Sequence, residues 1–526
     1  MTHYRNKYFL MVLLATLILA ACKKQWDQRT AVTDQQLNVN LMQQIQANSN
    51  LSVFAGYLTK IGFDKVLAAS KTYTVWAPTN AALAAIDPAV VADTAKLHVF
   101  VANHIANQVY LTTGIQGGSV RIRNLNGKNL TFTPTTVEDA NITSANQYVS
   151  NGVLNVIDKQ LTPRLNISQY IRSLTTVGLL HQAYIVRNDS TYVDTSKATV
   201  ASINPTTGKP VLVPNTGVVT INKYFNRVAA LANEDSTYTY IVLTDAAYNA
   251  ERAKVNKYFV TSSTDTTQNI LSAFNVLKDV AIRGIVLPAN LPSSLTSVNG
   301  VPVPIDKTAI VQTYNASNGI VYVMSAVNFD VATKITPIII QGEQPSFYAR
   351  TDKQGNTQLR SRLDNNGVPY KDLFITGTGV ASYFAAYKIG NLYTCQYKVE
   401  LRAVNDTLVT HIPTTAPNGS GVITETLSFG QITAVSNPSG TIIPVPTVRF
   451  TNTFVTPYFY GLFPVTGAAT VSPGYNAATS TMNVTNGNFT VVKYNSVNMY
   501  VTGANVTTGN LNNVLVDYIK LTPILQ

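Results

Sequence analysis

Tyr73-Thr74-Val75-Trp76-Ala77-Pro78-Thr79-Asn80-Ala81-Ala82-Leu83 is the stretch on which the reading of this chain turns. Strand chemistry from Lys71 to Ala77 runs into Pro78, and Thr79 or Asn80 then offers an oxygen to the open amides of a helix starting behind it. Val75 and Trp76 are expected to fill core and near-core positions. Working outward, the stretch is followed by Phe100-Val101-Ala102-Asn103-His104-Ile105 and then by Asn151-Gly152-Val153-Leu154-Asn155-Val156-Ile157-Asp158. The same three-part order returns about 165 residues later as Tyr240-Ile241-Val242-Leu243-Thr244-Asp245-Ala246-Ala247-Tyr248, Ala281-Ile282-Arg283-Gly284-Ile285 and Asn318-Gly319-Ile320-Val321-Tyr322-Val323-Met324-Ser325. Thr79 and Asn151 stand 72 residues apart, Thr244 and Asn318 74, so a unit of domain length is repeated. Ahead of the first copy, Leu37, Leu41, Met42 and Ile45, then Leu51, Phe54, Leu58 and Ile61, have helical spacing. Tyr170, Ile171, Leu174, Val177 and Leu180 suggest a similar opening helix for the second.

These blocks resemble the fasciclin family of extracellular domains, closely over residues 37–164 and more weakly over 165–342. The resemblance implies compact modules of strands and helices, a part in adhesion on matrices and cell envelopes, and no enzymatic activity. It marks Thr74, Val75, Pro78, Thr79, Asn80, His104, Asn151, Gly152 and Asp158 as motif residues with structural duties. For His104 the expected duty is a hydrogen bond locking a helix to the strand of the first motif; a metal or general-base role is the sharper alternative. In the second copy Leu243 replaces the motif proline, Gly284 stands in the place read for His104, and Ser325 replaces Asp158. Asn103 precedes the histidine where the family often has tyrosine.

Arg5 and Lys7, an apolar run from Phe9 to Ala20, and Leu19-Ala20-Ala21-Cys22 form a basic, hydrophobic and small-residue sequence ending on cysteine. It resembles a bacterial lipoprotein signal covering residues 1–21, with Cys22 as the acylated residue. About twelve apolar residues fall short of the roughly 20 that span a bilayer. The membrane is thus expected to be a partner through the lipid alone. Lys23-Lys24 after the cysteine favours the outer membrane, facing periplasm or surface. Residues 22–36, rich in Gln, Asp and Thr, read as a flexible tether.

Charged residues make up 12% of the chain, about half the usual share, and hydrogen-bonding neutral residues take their place. The formal net charge of +12 suits anionic polysaccharide or membrane surfaces, but no Lys/Arg cluster marks a nucleic-acid groove. Cys22 and Cys395 are the only cysteines. With Cys22 acylated no disulfide or cysteine metal site can form, and Cys395, in an alternating run, reads as a small hydrophobe. Catalytic patterns are missing from the sequence: there is no H-E-x-x-H, C-x-x-C, G-x-S-x-G or phosphate-binding glycine loop. Glu138-Asp139 and Glu234-Asp235 read as solvated turns, and Asp364-Asn365-Asn366-Gly367 as a turn lacking the glutamate of a calcium loop. No metal and no cofactor are expected.

Beyond about residue 345 alternating runs separated by Gly, Pro and Asn predict a β-sandwich. The closing Asp517-Tyr518-Ile519-Lys520-Leu521-Thr522-Pro523 resembles the last strand of galactose-binding-like jelly rolls. Tyr383, Phe384, Tyr387, Tyr458 and Tyr460 are candidates to stack on a sugar, against the reading that strand aromatics fill cores. The expectation is an α+β chain: two tandem fasciclin-like domains at 37–164 and 165–342, the second with an insertion around 202–217, then a jelly-roll-like sandwich at 343–526. It is expected to act without catalysis in adhesion or ligand binding, with polysaccharide or another surface protein as partner. The alternative is an accessory glycan-binding lipoprotein of an outer-membrane polysaccharide-uptake system.

Overall fold

A computed structural model describes residues 34–69, 71–261, 267–364, 366–405, 423–430, 448–455, 461–464, 469–471, 482–485, 488–491 and 495–526. Cys22, the signal segment, most of the tether, Tyr458 and Tyr460 lie outside the described residues. The chain is α+β and divides into two compact units. One holds residues up to 173 with 230–239 and 314–321; the other holds 174–229, 240–313 and 322–526.

The first unit opens on helices. Helix α1 (Leu41–Ala47) begins at Asn40, whose side chain accepts the Gln43 N–H while the Gln43 side chain returns to the Asn40 N–H, so two open amides are satisfied at once. With α2 (Ser52–Lys60) and α3 (Phe63–Ala68) it buries Leu41, Met42, Ile45, Phe54, Leu58 and Phe63 in one cluster. Leu37 is the exception, exposed in a short 3-10 turn. Strand β1 (Tyr73–Pro78) is buried throughout and lies between β2 (Ile105–Asn107), antiparallel to it, and β7 (Gly152–Ile157), parallel. The sheet continues through β3 (Val120–Arg123), β4 (Asn129–Phe132), β5 (Thr136–Val137) and β6 (Ala140–Val149) in the order β2-β1-β7-β6-β5-β4-β3. Period-2 alternation along β1 feeds two clusters. Val75 and Ala77 join the helices, and Trp76 packs on the other face with Phe132, Ile157 and Leu161. Helices α4 (Asn80–Leu83), α5 (Pro88–Ala92) and α6 (Thr94–Ala102) connect β1 to β2, and α7 (Ile167–Ser173) opens the second repeat.

Further along the chain α8 (Leu179–Arg187) leads into the insertion, which forms two ribbons: β8 (Asp189–Val193) with β11 (Val218–Asn222), and β9 (Val200–Ile203) with β10 (Pro210–Leu212). Then come α9 (Lys223–Arg227), β12 (Tyr238–Leu243), α10 (Asp245–Asn256) and α11 (Thr267–Leu277). They are followed by β13 (Ala281–Arg283), a hairpin of β14 (Ser294–Thr296) and β15 (Pro302–Pro304), β16 (Ile310–Ala316), β17 (Gly319–Met324) and α12 (Val331–Lys334). The repeat's sheet runs β13-β12-β17-β16.

The rest is strand. One sheet runs β18-β32-β23-β29-β28, from β18 (Ile338–Gln341), β23 (Gln396–Arg402), β28 (Met482–Thr485), β29 (Asn488–Val491) and β32 (Tyr518–Ile524), with β26 (Leu462–Pro464) beside β23. A second runs β19-β22-β30-β24-β25-β27, from β19 (Phe347–Tyr348), β22 (Phe384–Leu392), β24 (Ile423–Gly430), β25 (Val448–Val455), β27 (Ala469–Val471) and β30 (Asn495–Gly503). A third is formed by β20 (Thr357–Leu363), β21 (Pro369–Ile375) and β31 (Val514–Val516). Leu401 and Ile519 of the first sheet, Phe384 and Met499 of the second, and Phe374 and Leu515 of the third share one buried cluster. The strand part starts ahead of residue 343. Residues 338–341 pair with 518–521, a partner nearly 180 positions away that no local pattern announces.

Candidate functional site

The motif residues of the first repeat converge on the ends of β1 and β7. Thr74 donates to the Gln108 carbonyl at 2.9 Å and accepts the Tyr110 N–H at 2.8 Å, fixing the chain that leaves β2. Val75 is fully buried, and Pro78 ends β1 opposite Ile157. Thr79 caps α4 by accepting the Ala82 N–H at 3.2 Å. Asn80 ties that corner to α2: Oδ1 accepts the Val53 N–H, and Nδ2 donates to the Ser49 carbonyl and the Ser52 hydroxyl, each at 3.0 Å. Asn151 accepts the Leu41 N–H at 2.8 Å and donates to the Leu67 and Ala69 carbonyls at 2.6 and 2.9 Å. Gly152 lies so close to β1 that a β-carbon there would stand 2.0 Å from the Tyr73 oxygen. Asp158 accepts both the backbone and side-chain N–H groups of Asn141, at 2.8 and 2.7 Å, which hold its carboxyl below the usual carboxylate range.

His104 is fully buried between two groups with opposite needs. The Phe100 carbonyl, 2.9 Å from Nδ1, can only accept, and the Leu161 N–H, 2.9 Å from Nε2, can only donate. These neighbours select the neutral Nδ1–H tautomer, and burial pushes the imidazole down to about 4. The side chain therefore ties the end of α6 to the segment leaving β7. Only the backbone carbonyl of His104 reaches the first-motif strand, accepting the Trp76 N–H at 2.9 Å.

The same framework recurs in the second repeat. Thr244 accepts the Ala247 N–H at 3.3 Å, and Asp245 accepts the Leu180 N–H at 2.8 Å, as Asn80 does for Val53. Asn318 accepts the Ile167 N–H at 2.9 Å and donates to the Leu231 and Asn233 carbonyls. A β-carbon on Gly319 would stand 2.0 Å from the Tyr238 oxygen. Ser325 keeps the backbone bond of Asp158's position and donates its hydroxyl to Ala309. One equivalence must be corrected. The Ile241 N–H donates to Val280, as Trp76 does to His104, so Val280 and not Gly284 occupies the histidine position. An imidazole is supplied instead from α8: His181 accepts the Leu243 N–H on Nδ1 at 3.2 Å and donates from Nε2 to the Tyr240 hydroxyl at 2.9 Å. Tyr240 passes the chain to Tyr224 at 3.1 Å, and Tyr224 ends it on the Leu277 carbonyl. Burial lowers His181 to about 3 and raises both tyrosines.

Of the candidate sugar-stacking rings, the three among the described residues are not on offer to a ligand. Tyr383, Phe384 and Tyr387 are core residues, at most 2% exposed. The Tyr383 and Tyr387 hydroxyls are used by the Arg350 and Gly342 carbonyls, and the Phe384 ring meets Tyr500 edge-on at 5.3 Å. Four consecutive buried residues, Phe384 to Tyr387, mean that the first half of β22 is covered on both faces. Cys395 packs against the same core, and burial pushes its thiol up to about 11, away from nucleophilic use. The Asp364 turn closes on itself through the Asn366 and Val368 amides. Among the described residues no three His, Cys, Asp or Glu side chains gather to hold a metal.

A buried ion pair and a buried carboxyl carried no sequence signal. Lys334 and Asp279 form an ion pair at 2.6 Å, and burial brings the ammonium down to about 8. Glu425 accepts the Leu515 N–H at 2.5 Å inside the strand-rich part, and burial pushes its carboxyl up to about 8. Both sit in runs that alternate or cap like ordinary surface sequence.

Comparison with known proteins bears on the first repeat. Residues 49–163 match the Fasciclin domain. Fasciclin domains are associated with cell adhesion and are generally non-enzymatic. Among solved structures, the chain is similar to a FAS1 domain pair from the insect cell adhesion molecule fasciclin I, with 12% identity over 55% of this chain and 100% of that one, TM-score 0.22. It is also similar to the CBM36-1 domain of a multidomain xylanase from the hindgut metagenome of Trinervitermes trinervoides, with 10% identity over 36% and 98%, TM-score 0.18. A third likeness is to the insecticidal crystal protein Cry2Aa, with 11% identity over 38% and 24%, TM-score 0.18. No curated protein matches the chain. Within the Fasciclin domain the matched span takes in β1, α4, the His104 junction and β7, the elements that carry the motif bonds.

Proposed function

We propose that the protein is a non-catalytic surface protein that works by adhesion or ligand capture. It is held to the outer membrane by acyl chains on Cys22, with residues 165–342 as a second, divergent Fasciclin domain and the strand-rich part as its outer module. The observation that carries this reading is that Thr74, Thr79, Asn80, His104, Asn151 and Asp158 all have hydrogen-bond partners inside the Fasciclin domain. Such a motif builds a rigid scaffold whose surfaces do the work. The bond-for-bond correspondence of Asn151 with Asn318, and of Thr79 with Thr244, supports the second domain. Weak contacts suffice, because many copies on one membrane raise the effective concentration. The glycan-uptake alternative draws nothing from Tyr383, Phe384 and Tyr387, which are buried.

The anchor and the adhesive role are tested separately. Full-length protein in a bacterial host should fractionate with the outer membrane, and Cys22→Ser should move it to the soluble fraction; unchanged membrane retention removes the anchor. Particles coated with the purified chain should clump with one another or adhere to host cells. Dispersed, non-adherent particles, or polysaccharide hydrolysis by the purified chain, would sink the adhesive reading.

A further inference from the structure

We propose that two copies of this chain pair through the open edge of β8. The strands run antiparallel about a two-fold axis at Tyr192, and the joined ribbons form one four-stranded sheet, β11-β8-β8-β11. The insertion that supplies them is an arm without a core: no residue from 190 to 221 is buried, and Tyr192, Val193, Val200, Ile203, Val211 and Val218 are 44–59% exposed. A two-stranded ribbon by itself is marginal, and each of its edges can take a further strand.

The ladder decides which backbone groups face outward. The Asp194 N–H donates to the Gly217 carbonyl and the Lys223 N–H to the Asn188 carbonyl, each at 2.8 Å, at the two ends of the β8/β11 register. Bonded and unbonded pairs alternate along an antiparallel ladder, so Thr191 and Val193 turn their N–H and C=O groups away from β11. Among the described residues β8 pairs with β11 alone. Thr191, Tyr192 and Val193 are also the exposed run of that strand, while Ser190 and Asp194 beside them are half-buried. The two ribbons differ in protection. The outer one has Lys209, Pro210 and a register shift between Val211 and Leu212, all of which discourage a further strand; β8 has no lysine, no proline and no shift.

Three observations make the occupant a second β8. About Tyr192, Thr191 of each copy meets Val193 of the other, so the four outward N–H groups each find a carbonyl and the two Tyr192 side chains fall on one face. From Ser190 to Val193 the edge carries no charge, and across the arm Asp189 and Asp194 balance Lys197 and Lys209. Two arms thus meet without the self-repulsion that a chain of net charge +12 brings elsewhere, while a polyanion finds no counter-charge on this edge. Residues 189–222 are also enough to furnish the roughly 20–30 that each side brings to a stable interface.

The test uses the full chain carrying Cys22→Ser, so that no acyl group contributes to its mass. Analytical ultracentrifugation should show a monomer–dimer equilibrium in the micromolar range. Thr191→Pro removes an outward N–H and no internal bond, so it should weaken the dimer about tenfold or more at an unchanged melting temperature. Val193→Lys, which puts a solvated charge on the edge, should do the same, and Ile203→Lys on the outer ribbon should leave the dimer intact. Tyr192→Cys sets two Cα atoms about 4.5 Å apart across the axis, within disulfide reach. Under mild oxidation it should cross-link about tenfold faster than Val211→Cys, whose position is exposed to a similar degree. A chain that stays monomeric up to about 100 µM overturns the pairing. Dimers that survive both Thr191→Pro and Val193→Lys, or that are lost in Ile203→Lys, overturn the β8 edge; equal cross-linking of Tyr192→Cys and Val211→Cys overturns the axis at Tyr192. Mass in solution is read without any surface, so this pairing and the adhesive role can each fail alone.

Discussion

Asn151 uses both amide hydrogens and its oxygen to join α1, the exit of α3 and the start of β7, and each partner is a backbone group that the fold would otherwise leave open. Replacing it with aspartate keeps the shape and turns two donors into an acceptor facing two carbonyls. Asn151→Asp should therefore cost about 3 kcal/mol or more in urea unfolding. A cost below about 0.5 kcal/mol would mean that packing alone holds this corner. His104 makes a different prediction because it is buried neutral. Its folded value, about 4, lies below the ordinary 6.5, so only the unfolded chain takes up a proton between the two. Stability contributed at this site is constant above pH 6.5 and is lost as pH falls toward 4, by about 2 kcal/mol at pH 5. The NMR signal of the His104 ring should stay flat from pH 8 down to pH 5; a midpoint near 6.5 would refute the buried tautomer.

Among elements, the parallel pair β1/β7 is the part least tolerant of an added atom. A Gly152→Ala side chain would overlap the Tyr73 carbonyl, and Gly319→Ala would overlap that of Tyr238, so each should destabilise by on the order of 3 kcal/mol or more. Gly56, inside α2 with open space around it, is the control: Gly56→Ala should stabilise by about 0.5–1 kcal/mol. Thermal melts of the three variants decide the matter, and a neutral Gly152→Ala would contradict the observed approach of the strands. These elements were legible in sequence because strand, turn, cap and opening helix are local chemistry: Val75 alternates, Pro78 stops, Thr79 caps. Legibility ended where a position is defined across the sheet. Val280 takes the histidine place because of its bond to Ile241, while Gly284 merely resembles the spacing. Tyr383 to Tyr387 looked available because alternation assumes one wet face, and β22 has none over its first four residues.

Across the whole chain, burial of titratable groups gives different parts opposite responses to pH. His104 and His181 are both depressed, so each repeat loses stability as pH falls below 6.5. Glu425 is raised from 4.5 to about 8, so the folded strand-rich part holds a proton that the unfolded chain releases. Its stabilisation is fully present below pH 4.5 and declines as pH rises through 8, by about 3 kcal/mol between pH 4.5 and 7. Because the chain forms more than one compact unit, its unfolding need not be a single transition. Calorimetry between pH 5 and 7.5 should then resolve transitions that move in opposite directions. Glu425→Gln isolates the effect. Glutamine carries no proton equilibrium, keeps an oxygen for the Leu515 N–H, and should make the falling transition rise with pH instead, because the unit of Glu425 also holds His181, while leaving the transition of the His104 unit in place. If the variant and the wild type instead share one pH profile across that range, the carboxyl is ionised in the folded chain, and Glu425 must have a cationic partner to hold its charge.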